Sequence, residues 1–265
     1  MDNEILSGQQ SSWCLINKLG EGDAGEVFLV ESLVGGQTAI LKRPKRSAFS
    51  GDLFRQTSQI RTESKILKAL TVSLLEHPEM GVSVPALLDQ GKQGTDYNGK
   101  YFIVIDQAAG LDLSFLARIT QMGIADKDLP ADGLTPDVRA FLEAIARSGK
   151  IPKRILLTIL LRLIQLLELI HTIQLNENGS QTSGIVWNDV KPDHLFWNPQ
   201  HSQLTIIDWG NARFLEADRT TGDRQTSWAD DYRQFYDEMG RFLGMVAPEI
   251  KTLLNWPVQF SAEFT

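Results

Sequence analysis

The chain has 265 residues, 42% hydrophobic and 22% charged, with a formal net charge of -7. That length suits one large domain or two lobes, and the composition is that of an ordinary globular protein. The acidic balance argues against a nucleic-acid binder, and a single cysteine, Cys14, excludes an intrachain disulfide and any multi-cysteine metal site.

The N-terminal MDNEILSGQQ lacks a basic segment followed by an apolar one, so no signal peptide is expected. Cys14 sits in an apolar, strand-like run and is expected to be a buried, inert thiol. Trp13 to Ile16, Val27 to Val30 and Thr38 to Lys42 predict three strands, the first two separated by Gly20-Glu21-Gly22-Asp23-Ala24-Gly25 and the last two by a Gly35-Gly36 turn. Residues 53–70 place Ile60, Ile66, Leu67 and Leu70 at near-helical spacing and predict a helix. His77-Pro78 breaks the chain, and 84–90 and 101–107 are two further strands. A lobe boundary is expected near 107–111, where Ala108-Ala109-Gly110 follows the fifth strand.

The remainder reads as largely helical. Leu113 to Gln121 and Pro136 to Ser148 predict helices around an Asp-, Gly- and Pro-rich loop. Pro152 opens a long apolar helix that ends near Ile173. Arg162, Gln165 and Glu168 interrupt it at spacings of three, which makes one polar stripe on a core helix rather than a membrane span. A cytoplasmic location is expected. NENGSQTSG predicts a loop, 185–190 and 204–208 predict short strands, and 229–245 predicts a helix.

Glycines at 20, 22 and 25 are by themselves a weak signal, because the same pattern opens dinucleotide-binding folds. There the glycines precede a helix, whereas here they precede the strand Val27-Phe28-Leu29-Val30. A glycine turn between strands can lay backbone N–H groups over phosphates without side-chain obstruction. A lysine that holds phosphate oxygens needs an acidic partner to fix its stem, and Glu63 is the candidate for Lys42. The strongest segment is Trp187-Asn188-Asp189-Val190-Lys191-Pro192-Asp193-His194-Leu195-Phe196, followed 19 residues after Asp189 by Asp208-Trp209-Gly210. Two aspartates at strand ends can divide the work of proton acceptor and magnesium ligand.

In chain order, Gly20-x-Gly22-x-x-Gly25-x-Val27, Lys42, Glu63, His77-Pro78, Asp189-x-Lys191-Pro192 and Asp208-Trp209-Gly210 resemble the protein-kinase superfamily, and within it the bacterial Ser/Thr kinases with an atypical catalytic loop. The resemblance implies an α+β, bilobal protein-kinase-like fold: a small β-rich N-lobe (1–107, five strands and one helix) and an abbreviated helical C-lobe (108–265). It implies ATP and Mg2+ as cofactors, with Mn2+ as an alternative ion. Gly20, Gly22 and Gly25 would cover the phosphates, and Lys42 paired with Glu63 would hold them. Val27 and Phe196 would sandwich the adenine, and the backbone from Asp106 to Ala108 would hydrogen-bond it. Asp189 would be the base, Lys191 would neutralise the transferring group, and Asp208 and His194 would bind metal. Leu67, Trp187 and Trp209 would join a hydrophobic spine.

The sequence departs from that pattern at several points. His194 stands where the family has Asn, and Trp187-Asn188 stands where it has His-Arg, so control by a phosphorylated activation loop loses its usual receptor. Ile40 replaces a small residue two before the lysine. Only 55 residues follow Gly210, which suits either a short lobe or a domain cut from a longer protein. Asp231 is the candidate for a buried aspartate that braces the catalytic loop, and Thr220, Thr221, Thr226 and Ser227 are candidate autophosphorylation sites. The leading expectation is a Ser/Thr protein kinase acting on a protein substrate. A small-molecule or lipid-sugar kinase and a nucleotide-binding pseudokinase are the alternatives. The sequence leaves acceptor and oligomeric state open.

Overall fold

Alternation decides the first hundred residues. Trp13 and Leu15, Phe28 and Val30, Ala39 and Leu41, and Phe102 and Val104 are buried, and the residues between them in each pair turn to the other face. The computed structural model describes residues 4–45, 48, 50–93, 100–123, 135–174, 176–177, 180–216 and 227–256. The elements run in chain order β1 (Ile5–Ser7), β2 (Ser12–Gly22), β3 (Gly25–Ser32), β4 (Thr38–Arg43), α1 (Ser50–Leu75), β5 (Val82–Ser83), β6 (Leu87–Gln93) and β7 (Lys100–Ile105). They continue with β8 (Leu111–Asp112), α2 (Leu113–Met122), α3 (Pro136–Ser148), α4 (Lys153–Thr172), β9 (Asn176–Glu177), β10 (Ser180–Val186), β11 (Leu195–Asn198), β12 (Gln203–Ile206), β13 (Arg213–Glu216), α5 (Trp228–Val246) and α6 (Pro248–Leu253). The chain divides into two compact units.

The first unit holds the described residues of 1–73, 84–108 and 208–213. Its sheet has six strands in the order β1-β2-β3-β4-β7-β6, one more than the five expected. The extra strand is β1, which pairs antiparallel with β2. Asp89 on β6 explains its position. The buried Asp89 carboxylate accepts the amides of Gln9, Gln10 and Ser11 at 2.9, 3.1 and 3.0 Å and the Trp13 indole N–H at 2.9 Å. The Gln9 amide also donates to the Gln90 carbonyl at 3.0 Å. The β1–β2 turn is thereby fastened onto the opposite end of the sheet, which covers both edges and encloses the apolar cluster. Cys14 lies on β2 between Trp13 and Leu15 and is half-buried, not buried as expected, because the alternation turns it to the other face.

The second unit holds the described residues of 74–83, 109–207 and 214–265. Helix bounds follow from caps. Asp112 accepts the Phe115 amide at 2.7 Å to start α2. Thr135 precedes Pro136 at the start of α3, and Gly149 ends it in the left-handed region at φ 62°. Among the described residues, α4 alone is long and apolar enough to cross a membrane. Leu156, Ile159, Leu163, Leu166, Leu167 and Ile170 are buried, as in a core helix.

Two small sheets complete the unit. One has the order β5-β12-β11-β8 and the other β13-β10-β9. The structure corrects two expectations here. NENGSQTSG contains paired strands, Ser180 with Glu177 and Gln181 with Asn176. The strand expected over 185–190 ends at Val186, and β11 forms a hairpin with β12 after the loop. The loop expected between α2 and α3 falls largely on 124–134, outside the described residues, as do Thr220, Thr221 and Thr226. Ser227 lies at the N-cap of α5, where its amide donates to the Asp230 carboxylate at 2.8 Å.

Candidate active site

In the first unit, the strand register sets which face of β4 carries Lys42. Ala39 and Leu41 point into the core, so Ile40 and Lys42 share the other face of β4. Lys42 Nζ donates to Glu63 Oε1 at 2.6 Å and to Asp208 Oδ1 at 3.1 Å. Glu63 is carried by α1 and is 1% exposed. It also accepts the Trp209 amide on Oε1 at 3.4 Å, which ties Asp208-Trp209-Gly210 to the helix. Leu67, one turn beyond Glu63, and Trp209 are both fully buried in this unit. Asp208 has φ 60°, a left-handed conformation costly for a non-glycine residue and frequent at functional positions.

One ammonium faces two carboxylates here, so the cluster carries a surplus negative charge. Burial alone would lower the Lys42 pKa, but Glu63 and Asp208 outweigh it and hold the group well above its ordinary range. Burial, with help from Asp208, raises the Glu63 pKa against the pull of Lys42. Glu63 Oε2 is buried and has no hydrogen-bond partner among the described residues. A surplus negative charge and an unsatisfied buried oxygen beside an ammonium are a donor set that fits a divalent cation and its phosphates.

The glycine hairpin belongs to the same unit. Gly20 pairs with Val27 and Gly22 with Gly25, leaving Asp23-Ala24 as a two-residue turn. Gly25 has φ 143°, and a Cβ there would strike the Arg43 carbonyl, so folding itself demands glycine. A Cβ on Gly20 or Gly22 would meet nothing within 4 Å among the described residues. Packing therefore does not demand those two glycines, which suits a hairpin that keeps its surface clear for a ligand. At the end of β7 the Asp106 amide donates to the Ala86 carbonyl at 2.9 Å, and the Gln107 amide to Asp106 Oδ1 at 2.9 Å.

In the second unit, Asp189, Lys191 and His194 come together on the loop between β10 and β11. Lys191 Nζ lies 2.5 Å from Asp189 Oδ1. His194 Nδ1 lies 3.0 Å from the Asp189 carbonyl oxygen and 3.7 Å from Asp189 Oδ2. Donation from Nδ1–H to that carbonyl places the ring lone pair on Nε2, the tautomer of a histidine metal ligand. Phe196, half-buried, is paired with Asp112 where β11 meets β8.

The loop is held from below by α5. Asp231 is 0% exposed. Its Oδ2 accepts the Trp187 amide at 2.9 Å and its Oδ1 the Asn188 amide at 2.6 Å. His171, on α4, completes the set with Nε2 at 2.9 Å from Asp231 Oδ2 and stacks on Trp228 with ring centroids 5.6 Å apart. The structure thus places Asp231 as the expected brace. Sequence reasoning missed His171 and Gln234. Gln234 accepts the Val190 amide at 3.0 Å, and its signal was spacing: it stands three residues after Asp231, on the same face of α5.

A family model described as APH, phosphotransferase enzyme family, matches residues 16–215. Among solved structures, vaccinia related kinase 3 is similar at a TM-score of 0.49 and 15% identity, over 93% of this chain and 68% of that one. No curated protein matches the chain. The family match runs from β2 to β13 and takes in the glycine hairpin, the lysine cluster and the Asp189 loop, so the chain belongs to the phosphotransferase enzyme family.

Proposed function

We propose that the chain transfers the γ-phosphoryl group of ATP to a hydroxyl, with a protein Ser or Thr side chain as acceptor. The observation that carries this reading is the 2.5 Å pair of Lys191 with Asp189 on a loop braced by Asp231. A carboxylate so held can take the proton of an acceptor hydroxyl as its oxygen bonds to phosphorus, while the neighbouring ammonium offsets charge on the transferring group. ATP would supply the phosphoryl group and leave as ADP, and a bound Mg2+ or Mn2+ would offset the charge of its phosphates. Lys42 holds phosphate oxygens, Glu63 fixes its ammonium, and Asp208 and His194 are the proposed metal ligands. Gly20, Gly22 and Gly25 line the phosphates, and Val27 and Phe196 enclose the adenine. The Asp106 amide is committed to Ala86, so adenine is met by the Asp106 carbonyl and the Ala108 amide.

The test is transfer from γ-labelled ATP with Mg2+ or Mn2+, offered protein and small-molecule acceptors in parallel. Label on protein, lost in Asp189→Ala, supports the reading. Label only on a small acceptor moves the assignment to a small-molecule kinase. ATP binding with no transfer under either metal makes the chain a nucleotide-binding module. The histidine has its own test. His194→Asn will shift the ratio of Mn2+- to Mg2+-supported rates toward Mg2+, since an amide oxygen is the harder ligand. An unchanged ratio removes His194 from the metal site.

A further inference from the structure

Asp189 is flanked by two residues that one side chain on α5 grips from below. The Gln234 carboxamide accepts the Val190 amide on Oε1 at 3.0 Å and donates from Nε2 to Asn188 Oδ1 at 3.4 Å. Asn188 has φ 66°, a left-handed conformation that asparagine tolerates better than most residues. That backbone turn lets its amide reach Asp231 at 2.6 Å while its side chain meets Gln234. Asp231 and Gln234 stand three apart on α5, so they present from adjacent turns of one helix. Together they engage Trp187, Asn188 and Val190, the residues on either side of Asp189.

We infer that Gln234 is a positioning residue for the catalytic loop, and that the Gln234–Asn188 bridge is an internal lock standing where the kinase pattern has an arginine that reads a phosphorylated loop. The inference rests on the proposed phosphotransfer for its kinetic consequence, but the lock itself is a property of the fold. A carboxamide spanning two loop residues has the donor and acceptor needed to hold both at once, which a charged or apolar side chain of similar length lacks. The geometry is complete without any modification, so the loop is set before substrate arrives.

The experiment reads the loop and the chemistry separately on the whole chain. Amide hydrogen exchange is measured by NMR at Val190, with the Trp187 and Asn188 amides, held by Asp231, as internal references. Gln234→Met, similar in length and without polar atoms, will speed exchange at Val190 by about tenfold or more relative to those references. It will lower kcat by about tenfold with the ATP KM changed less than about twofold, because positioning of the base is lost and nucleotide binding is not. Gln234→Glu, which keeps the acceptor for the Val190 amide, will recover most of the exchange protection. Unchanged Val190 exchange in Gln234→Met overturns the lock, and faster exchange with unchanged kcat overturns the positioning role. A wild-type chain that transfers no phosphoryl group to any acceptor sinks the functional reading instead, and the lock then stands or falls on exchange alone.

Discussion

Asp231→Ala will lower the unfolding free energy by about 3–5 kcal/mol, because it strips one buried acceptor from three donors at once. The Trp187 and Asn188 amides and His171 Nε2 all end on this carboxylate. Each buried donor left without a partner costs about 1–3 kcal/mol, partly relieved if water enters. For a chain of this size the expected fall in Tm is about 10 °C. Asp231→Asn, which keeps one oxygen, will lose less. Denaturant unfolding with both variants measures the effect, and a loss of under about 1 kcal/mol for Asp231→Ala would show that the carboxylate is not the keystone of the loop. Activity should fall with it, since the same two amides fix the backbone just before Asp189.

The second large effect is at Lys42. A buried ion pair broken by removing one partner costs about 3–5 kcal/mol, because the other charge stays buried without compensation. Lys42→Met leaves Glu63, 1% exposed, beside Asp208 with no cation between them. A loss of about 3 kcal/mol at neutral pH is expected, where removal of a merely catalytic lysine would be neutral or stabilising. The pH dependence has a definite sign. Burial already raises the Glu63 pKa above its ordinary value, and without Lys42 it rises further. A group whose folded pKa is raised favours the folded state most below its unfolded pKa, and that contribution is lost as pH rises through the folded value. Lys42→Met will therefore be weakest at neutral pH and recover toward the ordinary glutamate range near about 4.3. Adding Glu63→Gln to it should restore stability at pH 7. A pH-independent loss, or no gain from the second change, would place the cost elsewhere.

What could be read from the sequence was what lies close in the chain. Helix α3 was legible at both ends, because Thr135-Pro136 and Gly149 are local start and stop signals. Lys42, Glu63 and Asp208 were legible as a group only through the order of motifs, since nothing in composition joins β4, α1 and the turn after β12. The structure supplies that join in two hydrogen bonds from one ammonium. Features held by distant partners stayed hidden. Strand β1 is three residues long and carries no alternation to detect; its place is set by Asp89, some eighty residues away. The strand predicted over 185–190 stops at Val186 because 187–190 is a loop, with the Trp187, Asn188 and Val190 amides taken by Asp231 and Gln234 rather than by a neighbouring strand. Gln234 belongs to no motif, and only the helix spacing from Asp231 connects it to the site.

The same physical logic separates two kinds of glycine in one hairpin. Gly25 is required by the fold, where the Arg43 carbonyl leaves no room for a side chain. Gly20 and Gly22 meet no packing neighbour among the described residues, so their side-chain-free surface is open to a ligand rather than spent on packing.

The most direct measurement is the single-turnover rate of γ-phosphoryl transfer in Asp189→Asn against the wild type, at saturating ATP and metal, with the ATP Kd measured on both. The amide keeps the shape of the side chain and removes its capacity to take a proton. A fall of about 10²- to 10⁴-fold in rate, with the ATP Kd within about threefold, is the expected result for loss of a general base. A rate equal to that of the wild type would contradict the assignment of Asp189, and with it the proposed mechanism of phosphoryl transfer.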